Sequence, residues 1–258
     1  MAKGNKLRVG VFGPHGRMGQ SVVALVLASP DLQLAAKIVE AGQADGVELG
    51  ALDPSNVDVV IDFTAREAVL GNAAWCGLHG VPWVIGTTGL TPADQLQVRA
   101  CSERTLVFQA SNFSIGVALL ADLAARAAKV LGLDADIEII EAHHHHKRDA
   151  PSGTALTLGH AVAHARGQDL AAVRRDGRSG MVGERVRGEI GMHAVRLGDV
   201  VGEHEVQLAW PAERLKLVHE ARDRQVFALG ALRAARWLAL SRPRTNRGLF
   251  GMADLLGG

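Results

Sequence analysis

The residues with the most chemistry in them lie between Ile137 and Leu158, in IEIIEAHHHHKRDAPSGTALTL. Ile137, Ile139 and Ile140 read as a strand that runs into four histidines and a lysine, His143 to Lys147. Imidazoles and an ammonium are side chains that can hold or move a proton near neutral pH. Asp149-Ala-Pro-Ser-Gly-Thr follows, and Ala155, Leu156 and Leu158 read as the first turns of a helix. Pro151 is tolerated near a helix start, where its missing N–H would be an orphan anyway, and Ser152 is a candidate N-cap. Ser152, Gly153 and Thr154 then offer backbone N–H groups at the positive end of a helix, an anion site that glycine lets a ligand approach closely. A proton donor beside an anion cradle points to a small carboxylate or phosphate substrate and proton-coupled chemistry.

Two other readings of the histidine run stay open at this level. Four imidazoles also fit a metal site or a solvated loop. Against a metal, neighbours on a strand face opposite ways, so only alternate histidines converge. Neither a cysteine nor a carboxylate at a zinc spacing accompanies them, and no metal is expected. The run is internal and ends a patterned strand, which does not fit an affinity tag.

The elements that must position these groups follow from pattern. Leu7 to Phe12 reads as a strand, Gly13-Pro-His-Gly-Arg-Met-Gly as a turn, and Gln20 to Ala28 as a helix stopped at Ser29-Pro30. This is the opening of a dinucleotide-binding unit, although the glycines at 10, 13, 16 and 19 depart from the strict G-x-G-x-x-G spacing. Gly13 and Gly16 permit a tight turn and a close pyrophosphate, Gly19 permits close helix–sheet packing, and Arg17 can clamp a phosphate. Leu32 to Val39 is a second strand, with Glu40 at its end to read ribose hydroxyls and Lys37 as the nearby cation. Residues 41–56 read as a loop. Val57 to Phe63 is a buried parallel strand, and Thr64 is expected to cap a helix from Arg66 to His79. Strands at Val81–Ile85 and Thr105–Phe108, with a helix at Pro92–Ser102 between them, end in Gly86-Thr-Thr-Gly and Gln-Ala-Ser-Asn-Phe. Such strand ends line the crevice where open α/β sheets bind ligands, though Gly86 to Thr88 also fits an ordinary connection. Ser114 to Leu131 is a long apolar helix. Arg185–Leu197, Val200–Trp210 and Arg214–His219 alternate as antiparallel strands, Arg222–Leu240 is helical, and the apolar tail from Gly248 is expected to dock. His160 and His164, four apart, are best read as one face of a surface helix.

The expected fold is α/β: a Rossmann-like dinucleotide-binding domain from residues 1–114 and 222–258. Inserted in it is an α+β domain, 115–221, with a mixed, largely antiparallel sheet. A chain of 258 residues can bury two such cores. Its 48% hydrophobic and 21% charged content is globular. A net charge of +1 gives no electrostatic case for nucleic acid or an anionic membrane as the main partner. Cys76 and Cys101 do not make a disulfide framework and read as buried thiols. The N-terminal MAKGNKLRVGVFG runs into a strand with no apolar signal segment, and no apolar run near it is long enough to span a bilayer, so a cytoplasmic location is expected.

At this point the sequence resembles the 4-hydroxy-tetrahydrodipicolinate reductase (dihydrodipicolinate reductase) family of diaminopimelate–lysine biosynthesis. The motifs that carry the resemblance are VGVFGPHGRMG, IDFT at 61–64, VIGTTG at 84–89, ASNFSIGV at 110–117, EAHHHHKRDAPSGTAL at 141–156 and VRLGDVVGEH at 195–204. They span nearly the whole chain in order. The resemblance implies reduction of a small cyclic dicarboxylate with NADH or NADPH, and a homotetramer built by the middle domain. It implies that Gly13, Arg17 and Met18 lie in the pyrophosphate turn, and that Gly86, Thr87, Thr88, Ala110, Asn112 and Phe113 surround the nicotinamide. His143 matches the family's proton donor and Lys147 its partner. His144, Lys147, Ser152, Gly153 and Thr154 match its contacts to the substrate carboxylates. His145 stands where related sequences commonly carry arginine, and Glu40, which would repel a 2′-phosphate, leans towards NADH, with Lys37 as an offsetting charge. A sister dehydrogenase of the same two-domain plan, or a non-enzymatic dinucleotide sensor, are the competing readings. Neither has a use for the His-Lys-Asp-Ala-Pro-Ser-Gly-Thr run.

Overall fold

A computed structural model describes residues 6–241 and 246–257. The chain divides into two compact units, one made of the residues up to Ser114 together with those from Gln225 on, the other of Ile115–Arg224.

The first unit contains β1 (Leu7–Phe12), α1 (Arg17–Ala28), β2 (Leu32–Val39), β3 (Val47–Glu48), β4 (Val59–Asp62), α2 (Val69–His79), β5 (Trp83–Ile85), α3 (Pro92–Ser102) and β6 (Leu106–Gln109). Its strands pair in parallel, in the order β3-β2-β1-β4-β5-β6. The near-continuous apolar run of β4 follows from burial on both faces. Val9, Val11, Ile61, Val84 and Phe108 pack with α1, whose Val22 and Val26 are fully buried. Their sequence neighbours Val60, Trp83, Ile85 and Val107 pack the other way, with Trp75, Cys76, Val98 and Cys101 of α2 and α3. The period-two alternation of a strand thus feeds two cores. Cys76 and Cys101 are both unpaired and buried, and burial pushes the Cys101 thiol up to about 12, so neither is a ready nucleophile.

One local reading changes. Thr64 does not cap the helix after β4, because its hydroxyl donates to Asp62 at 2.6 Å. A 3₁₀ turn at Arg66–Ala68 comes first, and α2 starts at Val69 without a side-chain cap. The segment 41–56 carries only β3 and two short 3₁₀ turns, in keeping with a loop rather than a crossover helix.

The second unit holds α4 (Ile115–Leu131), β7 (Asp136–His143), α5 (Gly153–Ala165), α6 (Leu170–Val173), β8 (Arg174–Asp176), β9 (Ile190–Arg196), β10 (Gly202–Trp210) and β11 (Glu213–Ala221). Its five strands run β11-β10-β7-β9-β8. β10 is antiparallel to β11 and to β7, whereas β7–β9 and β8–β9 are parallel, so the sheet is mixed. The alternation around residues 185–210 suits an antiparallel neighbour pair, but β7 lies between β9 and β10. Ile137 and Ile139 of β7 line up with Ile190 and Met192 of β9 and with Leu208 and Val206 of β10, and α4 and α5 pack over them. Full burial of each such side chain contributes about 1.5–3 kcal/mol. That central, doubly flanked position is worth more than a local hairpin.

After β11 the chain returns to the first unit as α7 (Gln225–Arg236), continued by a π-helical turn at Trp237–Ser241. Gly230 of α7 touches the loop after β6 so closely that a Cβ there would stand 1.8 Å from the Phe113 carbonyl oxygen. The tail docks as β12 (Gly248–Phe250), parallel to β6, and α8 (Met252–Leu255), with Phe250, Met252 and Leu255 on the core. Among the described residues no helix is long and apolar enough to cross a membrane.

Candidate active site

In the first unit, a cavity of about 600 Å³ lies where β1, β2 and β4 end. Phe12, Gly13, Gly16, Val39, Glu40 and Phe63 are among its lining residues. Ligands of open α/β sheets bind at these carboxyl ends. A larger cavity, about 810 Å³, lies at the opposite end of the strands, beside Leu7, Gln33 and Val57. No helix N-terminus of the parallel layers points there, so it is the wrong end for a pyrophosphate.

The glycine turn has separate reasons for its glycines. Gly13 has φ +64°, a left-handed backbone that favours glycine. A Cβ on Gly19 would lie 2.0 Å from the Gly13 carbonyl oxygen, so Gly19 lets α1 close on the turn rather than on the sheet. Gly16, the N-cap of α1, would gain only a 3.5 Å contact to that same oxygen. Its missing side chain therefore matters for what approaches from outside. Arg17 is exposed at the first turn, whereas Met18 packs against the hydrophobic core.

Glu40 is exposed at the end of β2. Lys37 is bound to Asp45 at 2.7 Å, which occupies its ammonium. Glu48 and Glu67 also line the cavity, and among the described lining residues there is no lysine or arginine. The rim is acidic.

Around β4 to β6, Gly86 is pressed by the Phe63 ring, which a Cβ would meet at 2.2 Å. The buried Thr87 hydroxyl donates to the Thr64 carbonyl at 3.1 Å, and Thr88 is exposed. Ala110 donates its N–H to Ile85, and Asn112 Oδ1 accepts from Ser114 N at 2.8 Å. Phe113 is 1% exposed, with its ring against Phe63 and Phe108, so its side chain belongs to the core. Asp62 lies inside the IDFT motif, but its role is not legible in sequence. This fully buried carboxyl accepts from the Thr64 N–H and hydroxyl, Asn72 Nδ2 and Trp83 Nε1. Burial pushes its pKa up against those donors, and the group ties the end of β4 to its neighbours.

In the second unit, β7 carries Glu141 and His143 on one face. Glu141 Oε2 accepts from His143 Nδ1 at 2.5 Å, and Oε1 accepts from the Ser152 N–H at 3.0 Å. Arg196 of β9 donates to both oxygens at 2.8 Å. One carboxylate thus brings together two groups that the sequence singled out, His143 and the start of α5. Ser152 caps α5 as expected, accepting from Ala155 N at 3.1 Å, and its hydroxyl is bonded to His204 Nε2 at 3.2 Å. With its side chain and its N–H both engaged, Ser152 organises the helix start. Gly153 faces open space, where a Cβ would meet nothing within 4 Å.

The following loop is held by β-type bonds from His144 N to the Val200 carbonyl and from His145 N to the Gly198 carbonyl. His145 Nδ1 also bonds the Gly198 carbonyl, at 2.7 Å, so the residue at the usual arginine position is turned to the backbone. Lys147 pairs with Asp149 at 2.9 Å, and that ammonium holds the Asp149 carboxyl below its usual range. His144 Nε2 lies 3.3 Å from Arg224, and desolvation followed by the guanidinium charge lowers its pKa. His204, 4% exposed and set edge-to-face on His143 with ring centres 5.2 Å apart, is pushed down to about 4 by burial and then by the His143 charge. Glu141, Arg196 and His204 lie inside the family motifs, but motif reading assigned them no role, because β7, β9 and β10 meet only in the folded sheet; Arg224 lies outside every motif. A buried glutamate two residues before a histidine was the one sequence signal. Among the described residues no group of three or more His, Cys, Asp or Glu is arranged to hold a metal ion.

Comparison with known proteins gives two family models. The N-terminus model of dihydrodipicolinate reductase matches residues 7–113, and the C-terminus model matches residues 116–256. A dihydrodipicolinate reductase from Paenisporosarcina sp. TG-14, solved with dipicolinate bound, is 26% identical with a TM-score of 0.76, over 96% of this chain and 99% of that one. More distant structures share the fold alone. The diaminopimelate dehydrogenase of C. glutamicum is 13% identical with a TM-score of 0.57, over 98% of this chain and 96% of that one. The aspartate dehydrogenase of Thermotoga maritima is 12% identical with a TM-score of 0.51, over 91% and 97%. Matched along both units, this chain belongs to the dihydrodipicolinate reductase family, NAD(P)H-dependent oxidoreductases of diaminopimelate–lysine biosynthesis.

Proposed function

We propose that the chain reduces 4-hydroxy-tetrahydrodipicolinate to tetrahydrodipicolinate, with the first unit as the dinucleotide-binding domain and the second as the substrate-binding and oligomerisation domain. The observation that carries the reading is Glu141. It joins His143, which this reading makes a candidate proton donor, to the N-terminus of α5, which it makes an anion site, through its two oxygens. Dipicolinate, the ligand of the Paenisporosarcina relative, is a planar dicarboxylate of the kind such a site would take.

The glycine turn, the exposed Arg17 and the cavity at the strand ends fit a dinucleotide. A bound nicotinamide supplies a hydride. The chain's part is to hold, orient and protonate. Gly13, Gly16 and Arg17 would hold the pyrophosphate, while Gly86, Thr87, Thr88, Ala110 and Asn112 would bound the nicotinamide, with Phe113 supporting them from the core. Gly153 and Thr154 would hold one substrate carboxylate through the helix start. Lys147 and His144, with Arg224 beside it, would supply positive charge for the other. His143 or Lys147 would deliver the proton.

NADH is the preferred donor in this reading. An acidic rim at Glu40, Glu48 and Glu67 would repel a 2′-phosphate, and Lys37 is already paired with Asp45. The test is steady-state oxidation of NADH and NADPH at matched concentrations, with substrate formed in situ from pyruvate and aspartate semialdehyde. Substrate-dependent turnover with a higher kcat/KM for NADH is expected. Lys147→Ala should lower kcat about 10²-fold if it donates the proton. Cofactor binding without substrate-dependent turnover would return the chain to the sister-dehydrogenase or sensor reading.

A further inference from the structure

We infer that Glu141 is a positioning residue for the reaction, clamped by Arg196, which sets His143 in one tautomer and fixes it against the start of α5. The inference rests on the reading of His143 as proton donor. Residues two apart on a strand share a face, and Glu141 and His143 are the last such pair of β7. Glu141 is 1% exposed. A buried carboxylate is costly unless it is fully paired. Here its oxygens receive four donors, from His143 Nδ1, Arg196 Nη1, Arg196 Nη2 and Ser152 N. Burial raises its pKa, but the Arg196, His143 and Ser152 bonds outweigh that and keep it ionised below its usual range.

The consequence is directional. An ionised carboxylate only accepts, so the hydrogen of neutral His143 must lie on Nδ1. Nε2 is left as the working atom. It faces Gly202, where a Cβ would lie 3.0 Å away, so the absent side chain leaves that nitrogen uncrowded. When the imidazolium gives up its Nε2 proton to the substrate, the Nε2–H electron pair stays on the ring and Nδ1 keeps its hydrogen. Glu141 itself takes no proton.

The other charged or titratable groups around His143 are His204 on β10 and His144 and Lys147 in the loop. A neutral His204 adds no competing charge. Arg196 also donates to the Asp149 carbonyl at 2.6 Å, which steadies the loop between the imidazole and the helix start. A simple surface ion pair would need none of these further attachments.

The test begins with the wild-type protein labelled with ¹⁵N in histidine, His143 being assigned by the signals lost in His143→Ala. Its neutral form should carry the hydrogen on Nδ1. Glu141→Gln should lower kcat about 10²-fold and leave the KM for the dinucleotide within about twofold. In the same spectrum Glu141→Gln should weaken the preference for hydrogen on Nδ1, since an amide both donates and accepts. Arg196→Lys keeps a cation without the two-pronged hold and should weaken that preference by less. A hydrogen on Nε2 in the wild-type protein overturns the inference, whether or not the variants fold well. So does a Glu141→Gln enzyme with unchanged kcat and an unchanged His143 tautomer. Full turnover in His143→Ala would instead remove the proton-donor reading, and the inference with it.

Discussion

At the scale of single residues, the second unit stores pH sensitivity in His204. An unfolded histidine titrates near 6.5, and burial followed by the His143 charge depresses His204 to about 4. Between those values the unfolded chain holds the additional proton, so lowering the pH favours unfolding. The stabilising contribution is fully present above about 6.5 and is lost as the pH falls towards 4, amounting to roughly 3 kcal/mol. Urea unfolding at a series of pH values should show this fall. His204→Gln, whose amide oxygen can still accept from Ser152, should flatten the curve in that window. A slope unchanged by the substitution would assign the effect to other groups.

At the scale of elements, the glycine turn and α1 separate folding from binding. Gly19→Ala would force a Cβ to within 2.0 Å of the Gly13 carbonyl oxygen, a clash with backbone that no rotamer relieves. It should cost at least about 2 kcal/mol as well as cofactor affinity. Gly16→Ala meets nothing closer than 3.5 Å, at a φ of −67° that alanine adopts freely. It should keep its melting temperature within a few degrees, roughly, yet bind NADH more weakly, because the added methyl stands where a phosphate would approach. Calorimetric titration alongside thermal unfolding distinguishes the two. Equal behaviour of the two variants would contradict the division of labour. The same argument explains why the glycines were only partly legible in sequence: their spacing announced a turn, but which clash each one avoids depends on where the turn and the helix meet.

At the scale of the whole molecule, the five-stranded sheet has two faces. One is covered by α4 and α5. The other carries Ile140, Val195 and Val218 among the charges of Glu138, Arg178, Arg185 and His193. We propose that a homotetramer forms through this second face, where Val195 and Val218 are 41% and 57% exposed. Sedimentation should report a tetramer for the wild-type chain and smaller species for Val218→Glu, since an isologous interface repeats the buried charge in each copy. A monomeric wild type would sink the proposal.

The sequence by itself determined what local chemistry and periodicity can determine. Unbroken apolar strands separated by amphipathic helices fixed a parallel α/β unit, because strands buried on both faces cannot alternate. Ser152 announced its own cap, and the histidines, Lys147 and the Pro-Ser-Gly-Thr run marked where proton transfer and anion binding would meet. Pairings between distant segments had to wait for the tertiary structure. That β7 would take the centre of a mixed sheet followed from three-way packing around Ile137 and Ile139, which local alternation does not encode. Arg196 meets Glu141 across 55 residues of sequence, and His204 meets Ser152 across 52. Such contacts are decided by strand order and register, and they show Ser152 as a structural hub and Glu141 as the group that links the imidazole to the helix start.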